Sequence, residues 1–239
     1  MTTYLIGLDD TDAGESIGTG AMARELQILL ARKLNMAPLG ITRHQLLVHP
    51  DIPYTSHNSA ACLMCRGDAA QADVQALCEE LIAYLQHDGA DPGLCIATDD
   101  LDAPEIVAFG MRATREVVQK AEAIALAANA GLVLRELGGT GLGVIGALSA
   151  VGLRLGRMDG RYLSLPGLHS MRGQMSVAEL LAGSQIDRVV DDNDDPLSDD
   201  DRVDTSNWVR PELVDGEIVL RVRRRQTGGF FIRKHHEDG

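Results

Sequence analysis

Three aspartates follow the first apolar segment of the chain within four residues. Residues 4–8 have the pattern of a short buried strand, and Asp9, Asp10 and Asp12 come directly after it. Carboxylates this close repel one another. A hard divalent cation such as Mg²⁺, which prefers carboxylate oxygens and substrate phosphates, relieves that repulsion. Because ligands collect outside the carboxyl ends of strands, the spacing predicts a magnesium site; the alternative is that these aspartates only cap turns.

A helix is predicted to begin shortly after the aspartates. Glycines and small hydroxyl residues, Thr19 among them, lead into an Ala/Leu-rich segment that starts near Ala21. The N-terminus of a helix offers backbone N–H donors and a favourable dipole to a phosphate. The two features together predict a Mg²⁺–nucleotide site.

A glycine-rich segment at residues 137–146 is the second candidate site. Gly141, Gly143 and Gly146 match a dinucleotide fingerprint, but the helix predicted at residues 144–151 is too short for an ordinary dinucleotide crossover. A Walker A loop would need a Lys-Ser/Thr pair that does not follow. Glycines also let backbone N–H groups converge on an anion, beside the Thr140 hydroxyl; a tight turn with close helix packing is the alternative. If both loops meet, they form a nucleoside triphosphate site suited to phosphoryl transfer.

Hydrophobic periodicity predicts the elements that position these residues. The expected fold class is α+β (mixed α/β), ferredoxin-like in outline in its middle part. Strands are predicted at residues 4–8, 41–49, 59–65, 94–97, 132–137 and 162–165, and helices at 21–34, 71–86, 108–130, 144–151 and 175–181, the last capped by Ser176. A terminal β-hairpin is predicted to turn at Asp215-Gly216.

Composition narrows the possible partners and location. The 239 residues carry a net charge of −13, which disfavours RNA because Lys and Arg supply most nucleic-acid affinity; RNA stays possible through the basic stretch at residues 221–225. No apolar run reaches membrane-spanning length and no signal-peptide pattern is present, so we expect no membrane and a cytoplasmic location. The acidic segment 191–201 fails the calcium-loop template and is predicted to be a solvated linker.

The four cysteines are predicted to be structural. Cys62 and Cys65 form a Cys-x-x-Cys pair on a predicted strand. Residues three apart on a strand face opposite sides, so one metal cannot easily bridge them. Cys78 and Cys95 do not form a second pair.

Taken together, several motifs resemble the archaeal 2-agmatinylcytidine synthetase family, which modifies an isoleucine tRNA. They are residues 7–12, Gly18-Thr19, Ile52-Pro53, residues 57–60 and residues 138–152. The resemblance covers the kinase-like and ferredoxin-like N-terminal part of that family, without its OB-fold and zinc ribbon. It implies a kinase-like nucleotide-binding domain with an inserted ferredoxin-like domain, and ATP used to phosphorylate a cytidine before agmatine attacks.

The resemblance also implies roles and boundaries. Asp9, Asp10 and Asp12 would be the Mg²⁺ ligands and catalytic residues. The ATP-binding residues would be Thr11, Thr19, Gly138, Gly139, Thr140, Gly141 and Gly143. The expected divisions are a first kinase-like part at 1–50, a ferredoxin-like insert at 51–131, a second kinase-like part at 132–190, an acidic linker at 191–204 and a C-terminal hairpin at 205–239.

The resulting prediction is a Mg²⁺- and ATP-dependent phosphoryl-transfer protein, a phosphotransferase or ligase-like enzyme. Its acceptor and oligomeric state are left open. Asp9 or Asp10 could act as general base instead of metal ligand, and Arg112 and Lys120 are among the candidate charge stabilisers. The alternative is a non-catalytic nucleotide-sensing or RNA-binding module that retains the fold; a dinucleotide-dependent enzyme is a third option.

Overall fold

The computed structural model describes residues 1–11, 18–53, 58–86, 89–226 and 228–232. The chain divides into two compact units, Met1–Gly156 and Arg157–Gly239. Helices and strands alternate in the first unit, and short strands dominate the second. The predicted mixed α/β class is therefore confirmed. The predicted boundaries at residues 50/51 and 131/132 both fall inside the first unit, and they stay predictions.

The first unit is built on a five-stranded antiparallel sheet. Its strands lie in the order β5-β4-β1-β3-β2. The elements β1 to β4, with α1 and α2, form a βαββαβ arrangement with strand order 4-1-3-2, which is the ferredoxin-like pattern. The elements of the unit are β1 (Thr2–Asp9), α1 (Thr19–Leu34), β2 (Ala37–Gln45), β3 (Ser59–Gly67), α2 (Gln71–Leu85), β4 (Gly93–Thr98), α3 (Pro104–Ala113), α4 (Lys120–Asn129), β5 (Val133–Glu136) and α5 (Gly143–Gly156).

Helix α5 covers one face of this sheet, over β1 and β4. A Cβ atom at Gly7 would collide with the backbone carbonyl of Ala147, so the helix and the strand approach as closely as glycine allows. Helix α3 packs on α5 in the same way, because Gly110 and Gly152 each lie against the backbone of the other helix. This packing places the first turn of α5 beside the carboxyl end of β1.

Two helix predictions in this unit are wrong. The single helix expected at residues 108–130 is two helices, α3 and α4, because the connecting segment 114–119 leaves the helical path and buries Val118 in the core. Arg112 binds the Glu122 carboxylate at 2.6 and 2.9 Å across this break. The guanidinium also holds the pKa of the Glu122 carboxyl below its ordinary value. Helix α5 runs through Gly152 to Gly156 instead of ending at Val151. Gly152 serves the contact with α3 rather than a helix stop, so the short-helix argument against a dinucleotide site does not hold.

The four cysteines are all buried. Desolvation raises the pKa of the Cys62 and Cys65 thiols to about 12, and it also raises the pKa of Cys78 and Cys95. Strand β3 carries Cys62 and Cys65, as expected.

We expect these thiols to be unreactive while the protein is folded. The thiolate is the reactive form, and both burial and a raised pKa suppress it. Ellman's reagent at about pH 8 should therefore label none of the four thiols in native buffer and all four in denaturant. Rapid labelling of a native thiol would contradict their burial.

The second unit contains two small mixed sheets, with strand orders β6-β10-β11-β8 and β12-β13-β9-β7. Asp215 and Gly216 have φ angles of 49° and 83°, as a type I′ hairpin requires, so the predicted turn is confirmed. The predicted Ser176 cap is also confirmed, as a capping box with Glu179. The elements are β6 (Arg161–Ser164), β7 (Gln174–Ser176), α6 (Val177–Ala182), β8 (Arg188–Val190), β9 (Arg202–Asp204), β10 (Glu212–Val214), β11 (Glu217–Arg221), β12 (Arg223–Arg224) and β13 (Phe230–Phe231).

The acidic segment 191–204, expected to be a linker, instead belongs to the folded second unit. Its last residues form β9, which pairs with β7 and β13. Its aspartates bind arginines of the basic stretch 221–225: the three pairs are Arg221–Asp194 at 2.7 Å, Arg223–Asp192 at 3.2 Å and Arg225–Asp204 at 2.6 Å. Three arginines of the basic stretch are therefore paired with aspartates of the acidic segment, which a local composition pattern does not reveal. Among the described residues, no helix is both long and apolar enough to cross a membrane.

Candidate functional site

A cavity of about 220 Å³ opens in the first unit, at the carboxyl end of β1. Asp9, Asp10 and Thr19 line it from the N-terminal part of the chain, and Gly143 and Gly146 line it from the first turn of α5. The structure thus places residues of the acidic segment and of the glycine-rich segment at one cavity, although they lie more than 120 residues apart in sequence.

Two further motifs of the sequence analysis line the same cavity. Ile52 and Pro53 lie in the segment after β2, Asn58 directly precedes β3, and Ser59 is its first residue. Asn58 is held in place because its side-chain amide donates to the carbonyl oxygen of Leu47 at 2.5 Å. His57, between these motifs, lies outside the described residues.

Helices α1, α4 and α5 begin at this cavity. Their first residues, Thr19, Lys120 and Gly143, all line it. The N-terminus of each helix carries the positive end of its dipole and backbone N–H groups without intrahelical partners. The cavity is therefore suited to an anionic ligand.

The carboxylates of Asp9 and Asp10 form an acidic part of the lining. Asp9 ends β1, and its carboxylate lies directly against Gly146, where a Cβ atom would overlap it. Asp10 has a left-handed backbone (φ 50°), which an aspartate tolerates better than most residues. Its carbonyl oxygen accepts a hydrogen bond from the backbone N–H of Asp91 at 3.1 Å.

The hydroxyl residues near the aspartates are linked to one another. Thr11 is fully buried, and its hydroxyl donates to the Thr19 hydroxyl at 3.2 Å. Thr11 thus ties the end of the acidic segment to the start of α1. Only Thr19 of the two lines the cavity.

The glycine-rich segment is arranged around Asp91, a residue that the sequence analysis missed. The Asp91 carboxylate accepts hydrogen bonds from the Thr140 hydroxyl at 2.5 Å and from the backbone N–H groups of Gly141 at 2.6 Å and Leu142 at 3.0 Å. Gly138 and Gly139 pack beside the same turn. Of the five glycine-segment residues predicted to bind ATP, only Gly143 lines the cavity. The only feature of the sequence that could have drawn attention to Asp91 is the stretch Asp91-Pro92-Gly93. Such a stretch indicates a turn and does not indicate a partner for a distant loop.

The remaining walls combine apolar and charged groups. Leu46, Val118 and Ile145 supply apolar surface, and Glu116 adds a carboxylate. Lys120 also lines the cavity, with its Nζ bound to Glu136 at 2.6 Å and to the Thr140 carbonyl at 2.8 Å. Arg112, another of the candidate charge stabilisers, is bound to the Glu122 carboxylate. The apolar wall is complementary to a planar apolar group. The acidic wall is complementary to an anion whose charge is bridged to the carboxylates by a cation.

Two of the three aspartates predicted to hold Mg²⁺, Asp9 and Asp10, line the cavity. The third, Asp12, lies outside the described residues. Within the described ranges, no group of three or more His, Cys, Asp or Glu side chains is arranged to hold a metal ion. Asp9 and Asp10, which share the cavity, supply the carboxylate oxygens that Mg²⁺ prefers.

Comparison with known proteins finds similarity among solved structures. No family model and no curated protein matches the chain. A tRNA fluorescent labeling enzyme is 26% identical over 63% of this chain, with a TM-score of 0.55. TiaS, a tRNA agmatidine synthetase, in its complex with tRNA and ATP is 25% identical over 64%, with a TM-score of 0.56. The TiaS complex with tRNA, AMPCPP and agmatine is 22% identical over 76%, with a TM-score of 0.57. The chain spans 36%, 36% and 44% of these solved chains.

The fold of this chain is therefore similar to part of a tRNA fluorescent labeling enzyme and part of TiaS, which has been solved in complex with tRNA and ATP. In particular, the chain resembles part of TiaS, in agreement with the family resemblance in the sequence. The shared part is less than half of each solved chain's length.

Proposed function

We propose that the first unit binds ATP with Mg²⁺ in this cavity and transfers a phosphoryl group. The observation that carries the proposal is the convergence of the Asp9–Asp10 carboxylates with the N-termini of α1 and α5. Acidic oxygens for a cation and N–H donors for phosphates are the two requirements of a nucleoside triphosphate site. The similarity to TiaS, which has been solved with ATP, supports the choice of nucleotide.

Each group in the cavity has a role under this proposal. Asp9 and Asp10, together with Asp12, would hold Mg²⁺, which supplies charge neutralisation for the phosphates. The first turns of α1 and α5, at Thr19 and Gly143, would bind phosphate oxygens. The apolar wall would receive the base.

The transfer needs little covalent participation from the protein. The oxygen of the acceptor forms a bond to the γ-phosphorus as the bond to the bridging β–γ oxygen breaks, and ADP leaves. The proton of the acceptor hydroxyl passes to the carboxylate of Asp9 or Asp10, whichever acts as the base. Because the similar solved proteins are described with tRNA, we favour an RNA acceptor despite the net charge of −13.

The alternative, a non-catalytic RNA-binding module, depended on the basic stretch 221–225. Three of its arginines are paired with Asp192, Asp194 and Asp204. This pairing lowers the positive charge available to RNA phosphates. The cavity of the first unit is thus the stronger basis for a function.

Calorimetric titration of ATP, with and without Mg²⁺, tests the proposal. We expect Mg²⁺-dependent binding in the wild type and its loss, by about a hundredfold or more, in an Asp9→Asn/Asp10→Asn variant. Even the outer-shell partners of metal ligands are worth about 10–100-fold in affinity, and a direct ligand is worth at least as much.

The matched control is Asp99→Asn/Asp100→Asn, which removes the same charge from two exposed positions in the same unit. The control should bind like the wild type. Absence of ATP binding in the wild type would refute the proposal. Equal losses in both double variants would show a general effect of charge rather than a site.

A further inference from the structure

The glycine-rich segment binds an anionic group of the protein itself, the carboxylate of Asp91. Asp91 is only 8% exposed, and its two carboxylate oxygens accept three hydrogen bonds from Thr140, Gly141 and Leu142. A hydroxyl and two consecutive backbone N–H groups converging on one carboxylate form the kind of nest that binds phosphate in other loops. In this chain the donors of the nest are used internally.

The glycines of the motif fit this internal anion. A side chain at Gly139 would collide with the Asp91 carboxylate, and one at Gly143 would collide with the Asp91 carbonyl oxygen. Gly139 and Gly141 also have φ angles of 53° and 73°, which side chains adopt reluctantly. The pattern that indicated a ligand loop in the sequence is thus explained by wrapping the backbone around Asp91.

Asp91 is bound on its other side to the acidic segment. Its backbone N–H donates to the carbonyl oxygen of Asp10 at 3.1 Å, and Asp10 lines the cavity. Asp91 therefore contacts Asp10, which lines the cavity, through its backbone N–H group. Through its side chain it contacts residues 140–142, which directly precede α5. Displacement of Asp91 would shift these two parts of the chain relative to one another.

We infer that Asp91 is a positioning residue. Its carboxylate occupies the anion seat of the glycine-rich segment, which is the position on which its three hydrogen-bond donors converge. This contact holds the Asp10 backbone in place against the first turn of α5. This inference rests on the proposed function for its ligand. It assigns the phosphates to Thr19 and Gly143 rather than to Thr140 and Gly141. A phosphate at the nest would have to displace a buried carboxylate that makes three hydrogen bonds.

Removing the Asp91 carboxylate distinguishes the positioning role from a phosphate-binding nest, because the two roles predict opposite changes in the affinity for Mg²⁺–ATP. In Asp91→Ala, three donors lose their acceptor and the segment loses its anchor, so we expect the affinity for Mg²⁺–ATP to fall about tenfold or more. Sodium formate, which can enter the vacated seat, should restore most of it, whereas sodium chloride at equal ionic strength should not. Asp100→Ala, at an exposed position, is the matched control and should bind normally.

If the nest were the phosphate seat, Asp91→Ala would free three donors and remove a like charge. The affinity for ATP would then rise, and formate would compete with ATP. Either that result or an unchanged affinity would overturn the inference. Should Asp91→Ala fail to fold, Asp91→Asn keeps the side-chain size and one acceptor, and a smaller fall in affinity is expected.

Amide hydrogen exchange provides a readout that does not depend on ATP. In Asp91→Ala, exchange should accelerate both at Gly141 and Leu142 and around Asp10, and formate should slow it at both. Acceleration confined to Gly141 and Leu142 would reduce Asp91 to a local cap and overturn the positioning role. If the wild type bound no ATP, the proposed function would fail while this measurement still decided the role of Asp91.

Discussion

Replacing Gly146 by alanine is expected to remove most of the Mg²⁺–ATP affinity without unfolding the protein. The added Cβ atom would overlap the Asp9 carboxylate and lie 2.8 Å from the Asp9 Cβ. The Asp9 side chain would have to rotate, and the end of β1 would have to shift, which withdraws the carboxylate from its position in the cavity. Even losing an outer-shell partner of a metal ligand costs about 10–100-fold in affinity, and misplacing a ligand costs at least as much. Alanine is preferred to glycine inside a helix by about 1 kcal/mol, which offsets part of the strain. Calorimetry for affinity and thermal unfolding for stability measure the two effects separately.

An affinity equal to that of the wild type would contradict the placement of Asp9 in the site. A large loss of stability would also count against it, since the substitution would then be acting on the core. The informative comparison is with a second glycine in the same helix.

Replacing Gly152 by alanine is expected to lower the stability of the protein and to leave its ATP affinity nearly unchanged. A Cβ atom there would collide with the backbone carbonyl of Ile106 in α3, and a backbone atom cannot rotate away as a side chain can. Overpacking of a core costs about 1–3 kcal/mol and occasionally more. For a chain of this size we expect the melting temperature to fall by roughly 5–10 °C, while the folded fraction keeps an ATP affinity close to that of the wild type.

Gly18→Ala serves as the control for this stability measurement. Among the residues that the structure describes, no atom lies within 4 Å of a Cβ built at Gly18, and its φ of −68° suits alanine. Only the weaker capping by alanine applies, a cost of a few tenths to about 1 kcal/mol. If Gly152→Ala were no more destabilising than Gly18→Ala, the close approach of α3 and α5 would be wrong.

Local patterns were sufficient for much of the fold. The first strand, the helix after the aspartates and the hairpin at Asp215-Gly216 each follow from residues adjacent in sequence, because periodicity and turn chemistry are local. The break between α3 and α4 was missed because it depends on tertiary packing: Val118, in the connecting segment, is buried in the core. The length of α5 was missed because Gly152 is a packing residue, whereas glycine in a sequence is equally consistent with a helix end.

For the candidate site, the sequence indicated residues but not their partners. Asp9, Asp10, Thr19 and Gly143 were all proposed, and the structure places them at one cavity; their binding roles stay proposals. Thr140 and Gly141 are bound to Asp91, which lies far from them in the chain. An aspartate in a turn carries no local sign that it will serve as the anion of a distant loop.

The cover that α5 provides for β1 has a consequence during synthesis of the chain. The strand Thr2–Asp9 is synthesised well before the helix Gly143–Gly156 that buries one of its faces, because this helix is the last element of their unit. At translation rates of about 5–20 residues per second, roughly 7–30 s separate the two. Throughout that interval Leu5, together with the other sheet residues that α5 finally covers, remains accessible to chaperones and to other nascent chains.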